Sequence, residues 1–190
     1  MNNTVRLFLC GDVMTGRGID QILPHPVDPV LHESYVKSAV GYVQLAEKSN
    51  GQISRPVDSR YIWGEAVNYW EQFSPVLKII NLETSITSRD TWWPDKAVNY
   101  RMHPENIDCL TAAGIDYCAL ANNHLLDFGR SGMNQTLEVL EKSDIAFSGS
   151  GDNLEKAAKP AIFSLQDNNR ILIFSAGMTT SGIPPAWAAT

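Results

Sequence analysis

What this chain lacks narrows its class before any motif is read. No apolar run approaches the roughly 20 residues that cross a bilayer. The opening segment, "MNNTVRLFLCGDVMTG", has its short apolar stretch broken by Asp12, so it does not read as a secretion signal. The location expected from this sequence is cytoplasmic, or envelope-associated if a leader or anchor lies outside it. The 15 Lys and Arg, against 21 Asp and Glu, are scattered rather than gathered into the basic stripe that nucleic-acid binding needs. Cysteine is scarce and odd in number: Cys10, Cys109 and Cys118 have no metal-ligand spacing, which argues against a disulfide scaffold and for buried free thiols. "GDVMTGRG" (11–18) follows an apolar run but has neither Gly-x-Gly-x-x-Gly spacing nor a Walker lysine, so neither nucleotide fingerprint applies.

What is present reads as one α/β domain over 1–190. A chain of this length buries roughly 70 % of its unfolded surface, enough for a single core. "VRLFLC" (5–10), "VLKIINLE" (76–83) and "IDYCALAN" (115–122) are nearly continuous apolar runs ending in polar residues, as expected of parallel strands covered on both faces. Helical spacing appears between them over 34–47, 64–73, 104–113 and 131–142; Ser34 is a candidate N-cap, and Pro104 and Gly114 bracket the third. "PAIFSL", "QDNN" and "RILIFSA" read as two strands joined by a tight turn. Alternating strands and helices imply a largely parallel sheet with an antiparallel flank.

In an open α/β sheet, chemistry gathers beyond the carboxyl ends of the strands. Three strand ends carry suitable residues: Asp12; Asn81 with Glu83; and Asn122, Asn123 and His124 with Asp127. Carboxylates, amide oxygens and an imidazole converging there would suit a divalent cation such as Mn, Fe, Zn or Mg. Each also has a plain structural use: Asp12 as a cap, the asparagines in a left-handed turn, His124 as a hydrogen-bonded core residue. A crevice histidine would be partly exposed, a core one buried. Arg17 could anchor a phosphate or carboxylate, or simply pair with Asp20 or another carboxylate on the surface. Trp92, Trp93 and Lys96 could form a substrate-facing lip or pack beneath a loop, whereas His25 and His32 show no metal spacing.

"CGDVMTGR" (10–17), "INLETSIT" (80–87), "ANNHLLDFG" (121–129) and "FSGSG" (147–151) together resemble the blocks of the CapA family, the poly-gamma-glutamate capsule biosynthesis proteins. These are similar in turn to the calcineurin-like metallophosphoesterases. The resemblance implies an α/β/β/α sandwich holding one or two divalent ions. It also implies Asp12 as first-block ligand, Glu83 with help from Asn81 in place of a bridging aspartate, Asn123 as an amide ligand and His124 as the phosphoryl contact. The chain departs from the pattern where Met14 replaces the first-block histidine, and no histidine follows His124. It therefore resembles the amino-terminal part of a longer domain, a truncated sandwich with an exposed apolar edge or face.

Two function classes follow. One is a metal-dependent hydrolase, a phosphoesterase or a relative unconnected with capsule, acting on an anionic small molecule or polymer. The other is a non-catalytic accessory that binds a polyanion alongside envelope assembly partners.

Overall fold

The computed structural model of this chain describes residues 4–94 and 96–190. Strands β1 (Leu7–Val13), β2 (Leu77–Leu82), β5 (Tyr117–Ala119) and β6 (Ala146–Ser148) form a parallel sheet in the order β1-β2-β5-β6. A short parallel ladder joins β3 (Ser85–Ile86) to β4 (Arg101–Met102), and β7 (Ala161–Ser164) pairs antiparallel with β8 (Arg170–Ile173). The helices are α1 (Arg17–Asp20), α2 (Val40–Asn50), α3 (Ala66–Phe73), α4 (Asp108–Thr111), α5 (Gly129–Lys142) and α6 (Leu154–Ala157). The α/β class and the antiparallel tail thus stand as expected, and among the described residues no helix is long and apolar enough to cross a membrane.

The core lies between this sheet and the helices. Ile80 and Leu82 from β2, Cys118 from β5 and Leu120 just beyond it meet Trp70 of α3, Cys109 and Leu110 of α4, and Met133 and Leu140 of α5. Ile80, Leu110 and Leu140 are fully buried, each contributing about 1.5–3 kcal/mol. Trp70 takes Phe8 of β1 edge-on at 5.0 Å, and the indole N–H of Trp63 donates to Cys109 O at 2.6 Å.

The structure corrects four expectations. Strand β1 is not covered on both faces: it is the sheet edge, Phe8 turns inward, and Leu7 and Leu9 are 37 % and 69 % exposed. Cys10, on the same strand, is exposed rather than buried, unlike Cys109 and Cys118. The helix expected over 34–47 begins only at Val40, with Ala39 rather than Ser34 as its N-cap. Upstream, Val30 and Ser38 form an antiparallel bridge and Leu31 N–H donates to Lys37 O, so the chain is extended there. Glu33 is drawn into the interior by Arg17 and the Tyr42 hydroxyl instead of starting a helix. The expected 104–113 helix runs as a 3-10 turn over Pro104–Ile107 continued by α4.

Apolar side chains stay exposed on two sets of strands. Beyond Leu7 and Leu9, the cross-strand partners Ile162 and Leu172 of the β7–β8 hairpin are 54 % and 51 % exposed. The hairpin is tied to the main sheet by the Ser148 hydroxyl, which donates to Ile173 O at 3.1 Å.

Candidate functional site

Parallel pairing carries β1, β2 and β5 to one end of the sheet, and their terminal side chains meet there. Asp12 and Asn81 are register partners, just past an irregularity in β1 between Cys10 and Asp12. The Asn81 amide donates to Asp12 Oδ1 and to Glu83 Oε2, each at 2.7 Å. Glu83 Oε1 lies 3.7 Å from His124 Nε2. The other imidazole nitrogen, Nδ1, is 2.6 Å from Asp127 Oδ2. Hydrogen bonds thus join Asp12, Asn81 and Glu83 on one side and His124 and Asp127 on the other, and the two groups approach at 3.7 Å between Glu83 and His124.

Asp127 decides the histidine's tautomer. Its carboxylate is fully buried and accepts from the Lys96 ammonium and from Tyr100 N–H at 2.6 Å. A carboxylate so placed accepts a hydrogen bond from Nδ1–H, leaving the Nε2 lone pair toward Glu83. Tyr100 stacks on the imidazole at 3.9 Å and 18°, and the Ser85 hydroxyl donates to His124 O and Leu125 O. His124 is only 4 % exposed, so the expected partial exposure of a crevice histidine is not met. The residue is both buried and part of the cluster. Burial, the largest influence, raises the Glu83 pKa above the ordinary carboxyl value, and Asp12 adds to it while His124 opposes it.

The two asparagines divide. Asn122 Nδ2 donates to Asn81 Oδ1 at 2.9 Å and to Leu82 O at 2.8 Å, and its Oδ1 accepts from His124 N–H at 3.0 Å. Two backbone bonds fix its amide, and Asn122 in turn fixes Asn81 with its N–H groups, not its oxygen, toward both carboxylates. Asn123 lies elsewhere: its backbone oxygen accepts from Lys96, and its side chain abuts Gly182, where a Cβ would stand 3.5 Å from Nδ2.

Arg17 is not paired with Asp20. Its guanidinium forms an ion pair with the buried Glu33 and sits between the rings of Tyr42 and Tyr100, at 4.9 and 4.7 Å. It thus backs the Tyr100 that covers His124. Asp20 is instead a buried acceptor for Val27 N–H, His103 N–H and the Asn106 amide. Trp92 stacks on His32 at 3.5 Å but stays 45 % exposed, and Trp93 meets Trp187 edge-on at 5.3 Å. Lys96 turns inward to Asp127 rather than forming a lip. Sequence spacing gave no signal for Lys96 or Tyr100, and for Asp127 the signal was its position three residues after His124.

Among the described residues no three His, Cys, Asp or Glu side chains converge as a ready metal-holding group. The groups that could face a cation there are these. Asp12 and Glu83 each have one carboxylate oxygen outside the Asn81 bonds, and His124 has its Nε2 lone pair beside Glu83. Such mixed oxygen and imidazole donors suit Mg, Mn, Fe or Zn.

Known proteins similar to this chain share one family. The family model described as "Bacterial capsule synthesis protein PGA_cap" matches residues 6–190. A Mycobacterium tuberculosis protein described as "Probable polyglutamine synthesis accessory protein" is 46 % identical over 187 residues, covering 98 % of this chain and 49 % of its own length. "Capsule biosynthesis protein CapA" of Bacillus anthracis is 22 % identical over 188 residues, 98 % of this chain and 38 % of its own. "PGA biosynthesis protein CapA" of Bacillus subtilis is 29 % identical over 100 residues, 52 % of this chain and 26 % of its own. The chain spans about half the length of the mycobacterial relative, or less of the others. With the family match running from the first strand to the last residue, the chain belongs to the bacterial capsule synthesis protein family PGA_cap.

Proposed function

We propose that this chain serves polyglutamate capsule synthesis through a metallophosphoesterase-like centre at the strand ends, built on an α/β/β/α sandwich of which β7 and β8 begin the second sheet. The observation that carries the reading is the approach of the bonded group Asp12, Asn81 and Glu83 to the pair His124 and Asp127. Asp12 and Glu83 would hold one divalent ion, with Asn123 the remaining amide candidate, Asn81 aligning the two carboxylates and His124 Nε2 left free beside them. A bound divalent cation would polarise a phosphoryl or amide-like oxygen and lower the pKa of water. The chain's own part is positional and protonic. Asp127 keeps the proton on His124 Nδ1, so Nε2 faces the reacting group and can accept or return a proton there. Arg17, neutralised by Glu33, acts through Tyr100 rather than by direct contact with an anion.

A second reading is favoured by the printed description of the mycobacterial relative as an accessory protein. In it the same crevice binds an anionic polymer at the envelope without cleaving it.

The test is Mn²⁺ binding by calorimetry together with Mn²⁺-dependent hydrolysis of bis-p-nitrophenyl phosphate. Hydrolysis that falls roughly 10²-fold in His124→Ala supports the enzymatic reading. Mn²⁺ binding with no turnover transfers the case to the accessory reading. Absence of both removes the metal centre.

A further inference from the structure

A cavity of about 360 Å³ lies between the first turn of α5, the turn that follows β6, and residues 183–190. It is far larger than one water, whose share of liquid volume is about 30 Å³, and falls in the size range of small-molecule sites. Leu125, Met133 and Trp93 supply apolar wall. The "FSGSG" segment builds one side, and its glycines leave no alternative. A Cβ at Gly149, where φ is +87°, would stand 2.7 Å from Ala121 Cβ, and one at Gly151 would stand 2.5 Å from Lys156 Cβ. The backbone is thereby pressed close enough to seat Ser150 in the lining.

Three polar groups of this lining are unspent. Ser150 is 8 % exposed, and its buried hydroxyl has no hydrogen-bond partner among the described residues. The buried indole N–H of Trp187 has none either. Arg130, in the first turn of α5, lines the same cavity and has no ion-pair partner among the described residues; the adjacent Asp152 is taken by Lys156 at 2.6 Å. Two neutral donors and a guanidinium over an apolar wall call for an anionic acceptor on an apolar body, since buried donors left unpaired are costly and a guanidinium matches a carboxylate.

We propose that this cavity is a binding site for a short-chain carboxylate, its acid group toward Ser150, Trp187 and Arg130 and its alkyl chain along Leu125 and Met133. The site adjoins the Asp12–His124 cluster through Asn122, which lines the cavity, but its three unspent polar groups make no bond to that cluster.

The probes are hexanoate and hexanamide, equal in shape and different in charge, titrated by calorimetry or ligand-observed NMR with EDTA present so that no cation at the strand ends contributes. Hexanoate should bind saturably in the millimolar range or tighter, and hexanamide at least about tenfold more weakly. Arg130→Gln, at an exposed position that leaves the core untouched, should abolish that preference, and Ser150→Val should weaken hexanoate several-fold. No saturable binding of hexanoate to the folded chain, equal binding of acid and amide, or binding unchanged in both variants would each overturn the site.

Discussion

Asn122 Nδ2 donates to Asn81 Oδ1 at 2.9 Å, and this bond turns the N–H groups of Asn81 toward Asp12 and Glu83. The strand-end carboxylates are therefore aligned by an amide that is itself held by a second amide. Replacing Asn122 by alanine leaves His124 N–H and Leu82 C=O without partners and releases Asn81 to reverse. The expected cost is about 1–3 kcal/mol, read as a drop in the chemical-denaturation midpoint. Mn²⁺ binding should persist, because Asn81 can then offer its oxygen. An unchanged midpoint would mean that the pair of amides orders nothing.

Thiol reactivity should separate the cysteines. Cys10 is exposed on the edge strand, whereas burial pushes the Cys109 thiol up to about 12 and drives Cys118 upward as well. Thiolate is the reactive form, so a chromogenic disulfide reagent should modify one thiol in the native chain and all three in denaturant. Two fast-reacting thiols under native conditions would contradict the packing of β5 against α4.

Asp20 sets a pH dependence of defined sign. Burial, the largest influence, raises its pKa above the ordinary carboxyl value despite hydrogen bonds from His103, Val27 and Asn106 that pull it down. The folded state thus holds the proton more tightly than the unfolded one. Asp20's contribution is fullest below the unfolded value of about 4 and is lost as pH rises through its raised folded pKa. The stability gap between wild type and Asp20→Asn should narrow as pH climbs above about 4, measured by urea unfolding at several pH values. A gap that widens with pH would show a carboxylate stabilised by its partners instead.

The exposed edge strand makes a prediction about association. Leu9 is 69 % exposed on an edge strand with one unpaired side, a surface that invites pairing between chains. Leu9→Lys should reduce self-association in analytical ultracentrifugation and change unfolding free energy by no more than about 0.5 kcal/mol. A large loss of stability would place Leu9 in a core.

The strand ends were legible in the sequence because buried parallel strands are apolar throughout and stop abruptly at polar residues. That contrast marked Asp12, Asn81, Glu83 and His124, which the fold brings together. The outer face of β1 was not legible, since "VRLFLC" reads the same whether or not anything covers Leu7 and Leu9. Neighbouring identical residues were equally opaque. Asn122 is bonded into the cluster and Asn123 lies against Gly182, a difference set by the turn after β5 and not by side-chain chemistry. Lys96 and Tyr100 reach His124 from 28 and 24 positions away, through a loop with no periodicity to read.

The long excursion between the first two strands has a kinetic consequence. Leu7 pairs with Leu77, 70 positions along, whereas Ile79 pairs with Tyr117 after 38 and Tyr117 with Ala146 after 29. Closing the first of these loops costs about 0.5 kcal/mol more entropy than closing the second, and non-local pairings of this kind slow folding. β2, β5 and β6 should assemble first and β1 dock onto them. Asp12, which travels on β1, would then reach Asn81 and Glu83 last, so an incompletely folded chain would hold His124 in place with one of its two strand-end carboxylates still missing.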